Sequence, residues 1–144
     1  MSAVLRAHGE AFDVELFLAE SSLEPDNVYQ KGAPVASAAA RKENGTPRRA
    51  SGFSLTVSHA DFSDLETQIS EAILFLDEYE DELRRLGKFD GVEGVSLDFG
   101  VQRRDVAAQT DVFPSDLLWR AGALDIWIAI THYAIAEPGG EPVA

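Results

Sequence analysis

The chain has 144 residues, the usual size of one domain, and its apolar (45%) and charged (26%) fractions are ordinary for a globular protein. The formal net charge of −13 opposes binding to nucleic acid or to an anionic membrane, and it would steer a cationic partner toward the surface. Cysteine is absent, which excludes disulfide bonds and thiolate catalysis. The first residues show no basic segment followed by a long apolar one, so we expect a cytoplasmic protein.

A strand and a short helix are the first predicted elements. Residues 2–9 predict a strand in which Leu5 and Ala7 point to the same side. Asp13 occupies an N-cap position ahead of the stretch VELFLAESSL, which predicts a helix.

The segment 24–50 differs from its neighbours in composition. It is rich in Pro, Gly, Ala and Asn, and basic residues are frequent in it. We predict a long, partly mobile basic loop here. It lies within a single α+β domain over residues 1–136, and we expect residues 137–144 to be a disordered tail.

Residues 51–59 alternate between apolar and polar side chains, which predicts a strand with one buried face. A long helix should follow. Ser63 and Glu66 match a capping box, apolar residues then recur at helical spacing, and Gly87 should end the helix after Leu86.

A second alternating stretch, 94–102, predicts another strand. Pro114 then opens a short helix with Gly122 as its C-cap. The stretch ALDIWIAITHY predicts the last strand, with its isoleucines on one face and Asp125, Trp127 and Thr131 on the other.

The element order is therefore β-α-β-α-β-α-β. Because three of the four strands alternate, helices should cover only one face of the sheet. We expect a two-layer α+β sandwich with a four-stranded, mostly antiparallel or mixed sheet.

Two groups of residues are candidates for binding. The first is in the loop stretch DNVYQKG, where Lys31, the backbone near Gly32 and the ring of Tyr29 could hold an anionic ligand. This stretch lacks the glycine density of a phosphate-binding loop and no helix start follows it, so a purely structural role is the alternative.

The second group lies on the outward face of the last predicted strand and comprises Asp125, Trp127, Thr131 and Tyr133. An aromatic and polar sheet face is typical of a partner surface. Cover by a loop is one alternative, and burial in a homodimer through the open sheet face is another.

Other chemistry is less well supported. His8, His59 and His132 lie near the ends of predicted strands, but none of their spacings is typical of a metal site. The acidic run 77–82 is typical of a solvated helix face, with Arg84 and Arg85 paired to acids four residues earlier. We expect no metal and no cofactor.

Several of these motifs together resemble a family of small bacterial proteins known only as a domain of unknown function. Its members show a helix ending in Leu-x-Pro, then aromatic-x-Lys-Gly, a strand with aromatic-x-Leu, a long amphipathic helix and a C-terminal helix-Gly-strand unit. The resemblance spans about residues 3 to 135 and rests on Leu23, Pro25, Tyr29, Lys31, Gly32, Phe53, Leu55, Leu117, Leu118, Gly122, Leu124 and Ile126. Tyr29 replaces a frequent Trp, and the loop after Gly32 is longer and more basic. The resemblance implies no activity, cofactor or site residue.

We therefore expect a non-enzymatic protein-interaction domain. The most specific form of this hypothesis is an immunity-type inhibitor of a basic toxin. A small-ligand-binding domain, with a pocket between the sheet and the 24–50 loop, is the alternative. Enzymatic activity is the least supported hypothesis, because no set of nucleophile, base and stabilising group is recognisable in the sequence.

Overall fold

The computed structural model describes residues 1–33 and 48–134, which form five strands and four helices. The strands are β1 (Ala3–Gly9), β2 (Asn27–Tyr29), β3 (Ser51–Ser58), β4 (Gly94–Gln102) and β5 (Ile126–Tyr133). The helices are α1 (Val14–Ala19), α2 (Leu65–Glu78), α3 (Glu80–Lys88) and α4 (Ser115–Ala123). Most of the predicted basic loop and the whole predicted tail lie outside the described residues. Within them, no helix is long and apolar enough to cross a membrane.

All five strands join one mixed sheet in the order β2-β3-β1-β4-β5. β1 is central and pairs antiparallel with both β3 and β4, β2 pairs antiparallel with β3, and β5 pairs parallel with β4. The predicted α+β class and mixed sheet are confirmed, but the predicted number of four strands is wrong.

The missed strand is β2, which lies in the segment predicted as loop. Three residues are too short to show alternation, so the strand depends on a tertiary contact instead of a local pattern. The carboxylate of Asp26 accepts hydrogen bonds from the hydroxyl and the backbone N–H of Thr56 in β3, each at 2.6 Å. The side-chain bond and then the backbone bond lower the pKa of Asp26.

The helices pack against one face of the sheet. Apolar side chains of the central strands, such as Leu5, Phe53 and Leu97, are fully buried in one core with side chains of all four helices. Phe17 of α1 stacks on Phe53 with ring centroids 6.0 Å apart. Burying a side chain of this size contributes about 1.5–3 kcal/mol, so this layer supplies most of the stabilisation.

The predicted long helix is two helices. At Tyr79 the backbone has φ −106° and ψ 23°, which separates α2 from α3. The ring of Tyr79 packs on Phe75 with centroids 4.9 Å apart. Leu83 and Leu86 of α3 nevertheless belong to the same core as Ile69, Ala72 and Leu76 of α2, as their helical spacing predicts.

The predicted caps of this helical region also differ from those observed. Asp64, one residue after the predicted Ser63, is the N-cap, because its carboxylate accepts both the backbone N–H (3.1 Å) and the hydroxyl (2.7 Å) of Thr67. Gly87 lies inside α3, which ends at Lys88. The predicted N-cap Asp13 of α1 is confirmed, since its side chain accepts the Leu16 N–H.

The end of α4 also differs from the prediction. The helix continues through Gly122, and Leu124 is its C-cap. Asp125 then adopts φ +56°, a left-handed conformation that Asp tolerates better than most residues. Asp125 therefore makes the turn into β5 and is not part of the strand, contrary to its predicted place on the strand face.

Glu82 connects α3 to the segment after α1. Its carboxylate accepts a hydrogen bond from the Ser21 hydroxyl at 3.2 Å. It also accepts hydrogen bonds from the N–H of Ser22 at 3.1 Å and from the Ser22 hydroxyl at 3.3 Å. Arg85 lies 3.4 Å away, donates to the carbonyl of Phe17 and covers that ring. Burial raises the pKa of Glu82, but the bonds from Ser22 and Ser21 and the charge of Arg85 outweigh it, so the net pKa is lowered.

This contact corrects the predicted charge pairing of the acidic run. Arg84 pairs with Glu80 four residues earlier, as expected, at 3.1 Å. Arg85 pairs with Glu82 and not with Asp81, because Glu82 is already held by the serines that face it.

We predict that Glu82→Gln lowers the free energy of unfolding by about 1–2 kcal/mol at neutral pH, since hydrogen bonds to a charged acceptor are stronger than those to a neutral one. Glu80→Gln, a matched change at an exposed position of the same helix, should lower it by less than about 0.5 kcal/mol. Urea unfolding measures both.

The pH dependence of the Glu82 effect has a defined sign. Folding lowers this pKa, so the stabilisation is complete above the ordinary value of 4.5 and is lost as the pH falls through the lower folded-state value. The difference in the free energy of unfolding between wild type and Glu82→Gln should disappear in that acidic range. A gap that is constant with pH, or equal losses for both variants, would contradict this account.

Candidate functional site: a pocket on the open face of the sheet

The sheet face opposite the core carries the outward side chains of the strands. None of the four described helices packs on this face, which we call the open face. It comprises Val4, Arg6 and His8 of β1, Asn27 and Tyr29 of β2, Ser54 and Thr56 of β3, Ser96, Asp98 and Gly100 of β4, and Trp127, Ala129, Thr131 and Tyr133 of β5.

A pocket of about 420 Å³ opens on this face over β1 and β4. Its lining is mainly apolar and comprises Met1, Ser2, Val4, Arg6, Phe62, Asp98, Gly100 and Tyr133. The rings of Phe62 and Tyr133 lie against each other at one side, with centroids 4.7 Å apart. Pockets that bind small molecules have volumes of roughly 300–1,000 Å³, so this one is large enough for a ligand or an anchoring side chain.

Gly100 allows the two rings to approach the sheet. A methyl group at this position would lie 2.6 Å from Cε1 of Phe62 and 2.9 Å from Cε2 of Tyr133. The carbonyl of Gly100 accepts a hydrogen bond from Nε2 of the fully buried Gln68 at 2.9 Å. The backbone under the pocket is therefore held from the core side.

An ion pair lies beside the apolar part of the pocket. Nη1 of Arg6 is 2.7 Å from Oδ2 of Asp98, and the hydroxyl of Thr131 donates to the same carboxylate at 2.8 Å. The Asp98 side chain is only 16% exposed, whereas Arg6 is 48% exposed. Asp98 is thus fixed by its neighbours, while part of the guanidinium group faces solvent and can donate to a bound group.

The predicted partner residues are placed at different points of this face. Thr131 and Tyr133 belong to the pocket region. Trp127 lies toward the other end of β5, is 60% exposed and has Gly94 beneath its ring. Asp125 lines another, smaller cavity of about 250 Å³ together with Trp127. The four residues therefore do not form a single cluster.

The predicted ligand residues Tyr29, Lys31 and Gly32 lie at the β2 edge of the sheet and not at the pocket. The N–H of Lys31 donates to the hydroxyl of Ser51 at 2.9 Å. Gly32 has φ +87° and its N–H donates to the carbonyl of Arg48, whose guanidinium group covers the ring of Tyr29 at 4.3 Å. Both backbone donors that an anion would need are thus used within the protein, and none of Tyr29, Lys31 and Gly32 lines the 420 Å³ pocket.

The histidines are separated in the fold. His8 pairs with Gly94 at one end of β4, whereas His132 pairs with Val101 at its other end. His59 follows β3 at the same end as His132. Among residues 1–33 and 48–134 no group of three or more His, Asp or Glu side chains could hold a metal ion.

Sequence reasoning did not identify Arg6, Phe62, Asp98 and Gly100 as site residues. Arg6 and Asp98 are 92 positions apart, so their contact depends on the pairing of β1 with β4. A local signal existed for Gly100, because glycine inside an alternating strand indicates a close approach to the backbone.

Comparison of the chain with protein-family models, with curated proteins and with solved structures found no match. The resemblance to a bacterial family of unknown function therefore remains a prediction. Function has to be inferred from the chemistry of the open face.

We predict that Gly100→Ala destabilises the protein by about 1–3 kcal/mol, because the added methyl group forces Phe62 and Tyr133 away from the sheet. Gly122→Ala is the matched control: its methyl group would meet no atom within 4 Å, and it lies in α4. That change should stabilise by up to about 1 kcal/mol. Thermal unfolding, together with the ring proton shifts of Tyr133, measures both effects, and equal effects of the two substitutions would refute the steric argument.

Proposed function

We propose that this protein is a non-enzymatic bacterial binding domain that holds a basic protein partner on its open face. The observation that supports it is the preformed, mainly apolar pocket on a face that the described helices leave uncovered. In protein interfaces a few large side chains buried in such pockets contribute most of the binding energy.

The extent of the face favours a protein over a small molecule. The exposed ring of Trp127 and the pocket residue Tyr133 are six positions apart on β5, which corresponds to about 20 Å along a strand. A standard interface buries about 800 Å² on each partner, an area that a surface of this length can provide. One anchoring side chain would fill the pocket while neighbouring groups contact the rest of the face.

Charge supports a basic partner. The net charge of −13 attracts cationic proteins at long range and raises their association rate. Inside the pocket Arg6 and Asp98 offset each other, so the anchor itself is best an apolar or aromatic side chain. Inhibition of a basic toxin by an immunity-type protein is the most specific form of this proposal.

The ion pair also bears on the choice between binding and catalysis. Asp98 already accepts from Arg6 and Thr131, so it is poorly placed to act as a general base. The arrangement orients a bound group more readily than it transfers a proton.

A small ligand is the second candidate, favoured by the volume of the pocket and by the exposed part of Arg6. Its ligand would have an apolar body and an anionic group. The expected pocket between the sheet and the 24–50 loop stays a prediction, because most of that loop lies outside the described residues. The 420 Å³ pocket lies over β1 and β4.

Affinity capture from the native cell with wild type, Tyr133→Ala and Leu74→Ala tests the proposal. Tyr133 forms the pocket wall, whereas Leu74 is 68% exposed on α2, in the helical layer. We expect a basic protein that wild type and Leu74→Ala retain, and a loss of affinity of about tenfold or more for Tyr133→Ala. Its association rate should fall as salt concentration rises.

Two results would overturn the proposal. One is a captured protein that binds all three variants equally, since its site would then lie off the open face. The other is a small molecule that copurifies with wild type and is lost in Tyr133→Ala, which would establish the second candidate.

A further inference from the structure

The two edges of the sheet differ in how well they are protected against pairing with another strand. β2, at one edge, has three residues and is flanked by Pro25 and Lys31. Short length, proline and lysine are the features by which natural sheets block their edges. β5, at the other edge, has eight residues, IWIAITHY, with no Lys, Arg, Asp, Glu or Pro among them.

The outer side of β5 is open in the described part of the chain. Only β4 pairs with it there, and one further backbone bond joins the N–H of Arg103 to the carbonyl of Tyr133. Along the strand, burial decreases from Ile126, which is 5% exposed, to Ile130, which is 43% exposed. A long, uncharged and β-branched edge of this kind is a template for another strand.

Helix α4 extends the apolar surface beyond this edge. It packs on β5 and on α2, and Arg120 marks the α2 side through its 2.8 Å contact with Asp77. Leu118 lies two positions earlier, about 200° around the helix from Arg120, so it points away from α2 and past the edge of the sheet. It is 47% exposed.

The charges at the two ends of β5 are opposite. Asp125, at its start, shares a cavity with Glu93. Arg103 and Arg104, at its end, share a cavity with His132, and both arginines are exposed. When two such strands run antiparallel about a two-fold axis, the acidic start of each faces the basic end of the other.

We propose that β5 is a dimerisation edge that pairs antiparallel with β5 of a second copy of this chain. The pairing is self-complementary, because each residue of one β5 faces a second residue of the other β5 and the reverse holds across the two-fold axis. The charged ends match despite the acidic net charge. It joins the two sheets into one and leaves both open faces on the same side. The inference is independent of the function proposed above.

Sedimentation equilibrium of the full chain over a wide concentration range tests this proposal. We expect a species of twice the 15.6 kDa chain mass. Ile130→Lys places a charge on the edge and Leu118→Lys places one beside it without altering the strand, so each should raise the dimer dissociation constant by about tenfold or more. Leu74→Lys, at a leucine of α2 that is 68% exposed, should leave the dimer dissociation constant unchanged.

Amide hydrogen exchange gives a second, independent measurement. Protection of β5 amides should increase with protein concentration in wild type and not in Ile130→Lys, while β2 amides should not respond. Circular dichroism of each variant checks that it is folded.

The proposal is overturned by a monomer at every concentration, whether the edge is then free or covered by residues 135–144. A dimer that both Ile130→Lys and Leu118→Lys leave intact also overturns it. If Trp127→Lys dissociates that dimer, the two copies meet through their open faces instead.

Discussion

Three neighbouring strands, β3, β1 and β4, place their large apolar side chains on one face of the sheet, whereas the other face is mostly polar apart from Val4. This pattern decides where every described helix packs. The rings of Phe17 and Phe53 mark where α1 meets β3 in the common core. Because all four helices bury their apolar sides on the same face, the described structure leaves the opposite face without a helical cover. The open face is thus a direct consequence of strand alternation.

Strand alternation also explains which features the sequence could predict. The bounds of β4 agree with the prediction because nine alternating residues carry the signal locally. β2, the bend at Tyr79 and the turn at Asp125 were missed or misplaced, since each depends on a contact with distant residues or on a backbone conformation that neighbouring residues do not encode.

The candidate site likewise contains some residues that the sequence could predict and others that it could not. Strand parity alone placed Thr131 and Tyr133 on the outward face, and both take part in the pocket region. Arg6 and Asp98 could not be paired without the strand order, because several antiparallel arrangements of four or five strands fit the same alternation. Phe62 comes from a connection whose path no pattern specifies. Residue type and alternation along a strand therefore predict which sheet face a side chain is on. The pocket itself depends on the order in which the strands pair.

The same topology separates two kinds of surface within a small acidic protein. The helical layer carries most of the acidic side chains of the elements, whereas the pocket holds a balanced ion pair and the β5 edge holds no charge within the strand. In the proposed function, long-range attraction of a partner and its close-range recognition would thus depend on different parts of the molecule. A change in one need not disturb the other.

The central position of β1 has a consequence for the order of folding during synthesis. Its two sheet partners follow much later in the chain, and Ala3 pairs with Phe99. A growing chain that has not reached β4 cannot complete the middle of the sheet, so one edge of β1 stays unpaired until residues 94–102 have been made. Contacts of such long sequence separation slow folding, because the ends of a long loop must meet before any pairing is gained. At elongation rates of about 5–20 residues per second, this strand stays without its second partner on the ribosome for several seconds.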